Sequence, residues 1–390
     1  LMCQGERGLY LAYNDLIVQE VKNDFPTSVD VFTTHSLAYF HVGKKYANRL
    51  KIKFTSQLLI KTLELKGDVG GLTKQQFAYL VFGTLGKYFV SDSDFITVQH
   101  VLSANKYAYT VTPALSTLVI KFASILFEKM QSRTSHIPVT HDFYLKLFAN
   151  KLKRELINLS YSYVILDEAQ DSPPVTQLIV KLINGRKMLV GDDNQALYAW
   201  RGADNAMSTM KMDLTASLTK CFRFGDNIAD LANKALKKYA NKDTCLTGNE
   251  QITSKIIVDG DDLGDKTILC RTNAMLMSEL MKSVSANRVP FIMKNAEEQY
   301  NTVIDIERLK SNLKPLSIGL ANFESWQELE DYSNSEMGGD MRPLINAVNE
   351  YGVDDMKHTL KSIQHNKPEQ ANDIIGTGHS SKGTEFNNIK

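Results

Sequence analysis

Tyr163 to Ala203 reads YVILDEAQDSPPVTQLIVKLINGRKMLVGDDNQALYAWRGA. The run Tyr163-Val164-Ile165-Leu166 is apolar and short, the pattern of a strand buried on both faces, and it stops at Asp167 and Glu168. Ser172 and Pro173 supply an N-cap and a first-turn residue. Val175, Leu178, Ile179 and Leu182 then recur at helical spacing, and Asn184-Gly185 ends the helix. Met188-Leu189-Val190 predicts a second buried strand running into Gly191-Asp192. Two strands joined by one helix run parallel, so both deliver carboxylates to the same carboxyl edge, where open α/β sheets bind ligands.

The residue types suit phosphoryl chemistry. A carboxylate such as Asp167 can hold Mg²⁺ through oxygen, while Glu168 can orient and deprotonate a water that attacks a phosphoryl group. A bare Asp-Glu pair after a strand also reads as a loop cap, and the longer string decides between the two. Asp167-Glu168-Ala169-Gln170-Asp171, followed after 19 residues by Gly191-Asp192-Asp193-Asn194-Gln195-Ala196-Leu197-Tyr198-Ala199-Trp200-Arg201-Gly202-Ala203, resembles the paired Walker B and third motifs of UvrD/Rep-type superfamily 1 DNA helicases. The resemblance implies ATP and Mg²⁺ as cofactors, with Asp167 as the metal carboxylate and Glu168 as the catalytic base. Gln195 would sense the γ-phosphate and Asp192 would lie on the nucleotide side. Tyr198, Trp200 and Arg201 would contact DNA.

Bulk properties bound the rest. The 390 residues are 43% apolar and 23% charged, ordinary for a globular protein of two or three domains. No apolar run approaches a membrane span and the first residues lack a signal-peptide layout, which predicts an intracellular protein with no membrane partner, cytoplasmic in a bacterium or phage and nuclear in a eukaryote. Cys3, Cys221, Cys245 and Cys270 form no CxxC pair, arguing against a disulfide framework, a zinc site or an iron–sulfur cluster. A formal charge of +1 is no global nucleic-acid signature, so DNA affinity is expected from local patches.

Upstream, Gly8 to Asn14 reads as a strand, Leu16 to Phe25 as a helix capped by Asn14 and ended by Pro26, and Val29 to Thr33 as a second strand entering Thr34-His35-Ser36. Turn and cap chemistry explains Tyr13-Asn14 and Thr34-His35-Ser36 locally. LYLAYN and THSLAY also resemble the first-domain DNA-contacting motifs of the same helicases, which implies DNA contacts from Tyr13, Asn14, Thr34 and His35; Asp15 stands where the family often has lysine. A P-loop ending in Gly-Lys-Ser or Gly-Lys-Thr is expected just before this strand, and residues 1–30 hold none, so the chain as written is expected not to hydrolyse ATP. It begins at Leu1 and reads as a fragment. Lys44, Lys45, Arg49, Lys51, Lys53, Lys61 and Lys66 face a single acid, Glu64, which reads as a solvated face or as a phosphate-tracking surface.

Downstream, Leu218-Thr219-Lys220-Cys221-Phe222-Arg223-Phe224-Gly225 resembles the fourth motif, whose arginine stabilises charge on the transferring phosphoryl group. Arg223 is that candidate, and CFRFG, like LYLAYN, is closest to the F-box-type DNA helicase branch. Ile256-Ile257-Val258, Thr267 to Arg271, Pro290 to Met293 and Asp373 to Thr377 are expected strands. Gly378-His379-Ser380-Ser381-Lys382-Gly383-Thr384-Glu385-Phe386 resembles motif five, implying DNA-phosphate contacts from His379 and Lys382 and a ribose contact from Glu385; motif six is expected after it.

The expected fold is α/β: two RecA-like P-loop NTPase domains with parallel sheets, each carrying a mainly helical insertion. The first takes 1–70 and 157–215 with an insertion at 71–156; the second takes 216–302 and 369–390 with a short accessory insertion at 303–368. The implied function is an ATP-dependent DNA helicase or translocase on single-stranded DNA or single/double-strand junctions, moving 3′ to 5′ in repair, recombination or replication. Two other readings use the same residues: an inactive helicase-like DNA-binding or scaffold module, or the helicase part of a RecB/AddA-type helicase–nuclease.

Overall fold

A computed structural model describes residues 5–50, 54, 56–105, 110–132, 134–196, 205–240, 242, 245–257, 264–293, 296–317, 320, 323–334, 341–382 and 384–390, apart from the side chains at 16, 20 and 56. The chain divides into two compact units, Leu1–Ser217 and Leu218–Lys390. Among the described residues no helix is long and apolar enough to cross a membrane.

The first unit holds strands β1 (Gly8–Ala12), β2 (Val29–Thr33), β3 (Ser160–Leu166) and β4 (Asn184–Leu189). They form one parallel sheet in the order β2-β1-β3-β4. β1 stops at Ala12, two residues short of the expectation, because Asn14 turns away to accept the amide of Ile17 at 2.9 Å and cap the helix Asp15–Val21. That helix ends at Val21, before the expected Phe25. β3 begins three residues earlier than its apolar run, with Tyr161 and Tyr163 buried. The Tyr163 ring lies where Gly8 has no side chain: a Cβ there would sit 2.3 Å from it.

Three expectations for the central stretch need correction. The helix is Pro174–Leu182, its cap position is Pro173, and no side chain caps it. Ser172 instead is buried and accepts Gln177 Nε2 on its carbonyl at 3.0 Å. A proline in the first turn lacks only an N–H that would have no intrahelical partner, so the helix can start there. Asn184 and Gly185 are not a stop but the first residues of β4; Gly185 has φ +132°, and a Cβ would lie 2.4 Å from the Tyr161 carbonyl oxygen. β4 itself is not buried: it is the outer strand of the described sheet, with Met188 56% exposed and Val190, just past its end, 38% exposed.

Between β2 and β3 the helices Lys74–Phe89, Pro113–Gln131 and His141–Lys153 bury Phe77, Phe89, Phe143 and Phe148 in the same core as Leu9, Leu11 and Val164 of the sheet. Arg49, expected on a basic face, is buried. Its guanidinium donates to the carbonyls of Ile137 (2.6 Å), Ser132 (3.0 Å) and Met130 (2.8 Å), closing the far end of the Pro113–Gln131 helix. Lys44, Lys45, Lys61 and Lys66 are exposed, and Lys51 and Lys53 lie outside the described residues.

The second unit holds β5 (Lys266–Cys270), β6 (Pro290–Ile292) and β7 (Asp373–Thr377), parallel in the order β5-β7-β6. Helices Asn273–Ser285, Ala296–Lys310, Arg342–Tyr351 and Val353–Ser362 pack Leu276, Leu280, Ile306, Val348 and Met356 with Ile268 and Ile375 of that sheet. Ile256 and Ile257 form no strand and are largely exposed; Val258 lies outside the described residues.

Candidate functional site

At the carboxyl edge of the first sheet the ladder runs past the strands. The Asp167 amide donates to Leu11 O at 3.0 Å, Val190 to Leu166 O at 2.9 Å and Ala169 to Val190 O at 2.9 Å. The two acidic strand ends are therefore side by side. The Asp167 carboxylate accepts the Tyr10 hydroxyl on Oδ2 at 2.6 Å and the Glu168 amide on Oδ1 at 3.0 Å. Burial, then the hydrogen bond and charge of Asp167 and the charge of Glu168, push the Tyr10 phenol above its usual range, so it remains a donor.

Glu168 has φ +50° and ψ +43°, the left-handed region that a side chain disfavours by roughly 1–3 kcal/mol. Its Oε2 accepts Gln170 Nε2 at 2.6 Å. Gln170, only 2% exposed, turns its Oε1 to the Asp192 amide at 3.0 Å. Gly191 makes room for this: a Cβ would stand 2.2 Å from Gln170 Oε1. Asp192 continues the chain, accepting Gln195 Nε2 on Oδ2 at 2.9 Å and the Asn194 amide on Oδ1 at 2.9 Å. Glu168, Gln170, Asp192 and Gln195 are thus joined by consecutive hydrogen bonds. Nothing in the sequence marks a task for Gln170 beyond its place two residues after Glu168. Tyr10 was missed outright, because nothing in LYLAYN says which strand lies beside it.

Of the four candidates near β1 and β2, Tyr13 and Asn14 are half-buried, and Asn14 spends its carbonyl oxygen on the helix cap. Thr34 is buried. Thr33 and Ser36 cap the helix Thr34–His41 reciprocally, each backbone amide donating to the other's hydroxyl. His35 Nε2 lies 3.1 Å from Asp142 Oδ1, a carboxylate brought over from the helix His141–Lys153, and the imidazole meets Tyr144 edge-on.

The second unit repeats this local construction at the end of β7. The Thr377 amide donates to Ser380 Oγ at 2.8 Å, as Thr33 does to Ser36 at 2.8 Å, and a histidine, His379 or His35, stands just before each serine. His379 is exposed and Lys382 half-buried. Arg223 follows the bridge between Lys220 and Thr247 and precedes the helix Asp226–Ala240; its Nε pairs with Glu385 Oε1 at 2.5 Å. The first unit thus gathers Asp167, Glu168, Asp192 and Gln195, and the second gathers Arg223 with Glu385. Tyr198, Trp200 and Arg201 lie outside the described residues.

The family described as UvrD/REP helicase N-terminal domain matches residues 15–214, just over half of the 390. F-box DNA helicase 1 of Gallus gallus is 26% identical over 411 residues, covering 98% of this chain and 40% of that protein. F-box DNA helicase protein 1 of Schizosaccharomyces pombe is 24% identical over 418 residues, covering 98% and 47%. ATP-dependent DNA helicase Rep of Buchnera aphidicola is 41% identical over 58 residues, 14% of this chain. The chain spans less than half the length of the two F-box relatives it matches. It belongs to the UvrD/REP helicase family within superfamily 1, and is related there to the F-box DNA helicases.

Proposed function

We propose that this chain is the motor portion of an ATP-dependent DNA helicase: two RecA-like domains with helical insertions that translocate along single-stranded DNA, 3′ to 5′, and open single/double-strand junctions during repair, recombination or replication. The observation that carries the proposal is the hydrogen-bonded series Glu168–Gln170–Asp192–Gln195 at the carboxyl edge of a parallel sheet. It links the residue read as the base to the residue read as the phosphate sensor, so a change at the nucleotide can reach the segment that follows Gln195.

Magnesium fits the donor set. Among the described residues no group of three His, Cys, Asp or Glu is placed to hold a metal, and a Mg²⁺ ion carried on nucleotide phosphates needs only one or two protein carboxylates. Asp167, half-buried and fixed on both oxygens, is suited to that task. When bound, the ion would neutralise phosphate charge. Glu168 would take the proton of the attacking water, Gln195 would sense the γ-phosphate, Arg223 would stabilise the transferring phosphoryl group, and Glu385 would hold the ribose. Tyr13, Asn14, Thr34, His35, Tyr198, Trp200, Arg201, His379 and Lys382 would serve the DNA strand through stacking and phosphate contacts.

The test uses the full-length protein on duplexes with a 3′ or a 5′ tail. Unwinding is expected from the 3′ tail alone. Glu168→Gln should lower ATP hydrolysis about 10²- to 10⁴-fold while single-strand binding persists. Hydrolysis that is indifferent to Glu168 would sink the proposal.

A further inference from the structure

Tyr10 occupies the middle of β1, where Leu9 and Leu11 on either side are fully buried in the core. Register sets it opposite Ile165, two residues before Asp167 on the neighbouring strand. Its ring packs against Phe25 with centroids 4.9 Å apart, and its hydroxyl reaches Asp167 Oδ2 at 2.6 Å. That length belongs to hydrogen bonds in which one partner is charged. A phenylalanine would satisfy the ring contact equally well, so what tyrosine adds at this position is the hydroxyl on Asp167.

We propose that Tyr10 is a positioning residue for the metal-binding carboxylate, its hydroxyl fixing the orientation in which Asp167 presents its remaining lone pairs to the magnesium ion of a bound nucleotide. The proposal rests on the assignment of Asp167 made above. A carboxylate offers about four acceptor positions, so the Tyr10 hydroxyl and the Glu168 amide leave room for a metal ion or its water. Held on one side by the adjacent strand and on the other by its own following amide, the group cannot rotate between alternatives. Partners of this kind orient metal ligands, and removing one typically weakens metal binding about 10- to 100-fold.

The experiment titrates Mn²⁺ into the full-length protein with ADP present and follows the free ion by electron paramagnetic resonance, a readout that needs no turnover. Tyr10→Phe should raise the Mn²⁺ dissociation constant about 10-fold or more, with unchanged affinity for metal-free ADP. Phe25→Leu, which disturbs the same ring contact and keeps the hydroxyl, should stay near the wild-type value. Asp167→Asn separates the two levels of the argument. If Asp167→Asn weakens Mn²⁺ and Tyr10→Phe does not, or if Phe25→Leu weakens it as much as Tyr10→Phe, the positioning role is overturned and the helicase reading survives. If Asp167→Asn itself has no effect, the assignment of the metal carboxylate fails, and Tyr10 falls with it.

Discussion

The side-chain amide of Gln170 donates to Oε2 of Glu168 at 2.6 Å while its carbonyl oxygen accepts the backbone amide of Asp192 at 3.0 Å. One buried side chain therefore ties the left-handed turn after β3 to the loop after β4. Gln170→Leu keeps the volume and strands the Asp192 N–H, which should cost about 1–3 kcal/mol of stability in urea unfolding. In the full-length protein its kcat for ATP should fall more than its KM rises, because Glu168, the proposed base, would be mispositioned and not removed. Unchanged stability and kcat would show that the bridge has no role.

Arg223 and Glu385 are 69% and 64% exposed at the side chain, so their ion pair contributes little to the fold, under about 1 kcal/mol. Arg223→Ala should leave thermal unfolding nearly unaltered. ATP turnover by the full-length protein should drop by roughly 10³ to 10⁵, the range found for arginines that stabilise phosphoryl transfer. Arg223→Lys should not restore it, since a point charge lacks the planar fork. Wild-type turnover in Arg223→Ala would remove this residue from the chemistry.

His35 and Asp142 give two variants with opposite expected signs. If the imidazole serves a DNA phosphate, Asp142 Oδ1 competes for the same ring nitrogen. His35→Ala should then weaken binding to a fluorescent oligothymidylate by about 2- to 10-fold, the worth of one hydrogen bond, and Asp142→Ala should tighten it. Weakening by both variants would mean that the pair acts as a structural unit.

Lys146 is fully buried, donating to the carbonyls of Ser91 and Ser93 at 2.7 Å each beneath the face of Tyr88. Burial pushes its ammonium down to about 8. Because the unfolded chain keeps the lysine protonated to a higher pH than the folded chain does, the folded state is penalised in full below about 8. That penalty is relieved as pH rises from there toward roughly 10.4, the value of a free lysine. Unfolding free energy should therefore climb across this window in wild type, and Lys146→Met should flatten that climb in parallel urea titrations. Identical pH profiles would contradict it.

Some of this was readable in one dimension. β2 and β7 run over Val29–Thr33 and Asp373–Thr377, the residues expected, because a short apolar run bounded by turn residues has few other ways to be satisfied. Asp167 and Glu168 end their strand as expected for the same reason. The exposure of β4 was not readable: Met188-Leu189-Val190 is apolar whether it lies inside or at the rim, and only strand order distinguishes the two. Arg49 likewise looked like one more cation in a basic stretch until three carbonyls from residues 130–137 closed around it.

Local pattern therefore determined the extents of β2 and β7, the acidic pair after β3 and the family motifs, since those depend on residues a few positions apart. Tertiary structure alone decided that Tyr10 would face Asp167, that Gln170 would join Glu168 to Asp192, and that Asp142 would meet His35. Apart from the local bond between Gln170 and Glu168, those contacts join separate segments of the chain, and their partners are chosen by strand register and core packing, which no short window of the sequence contains.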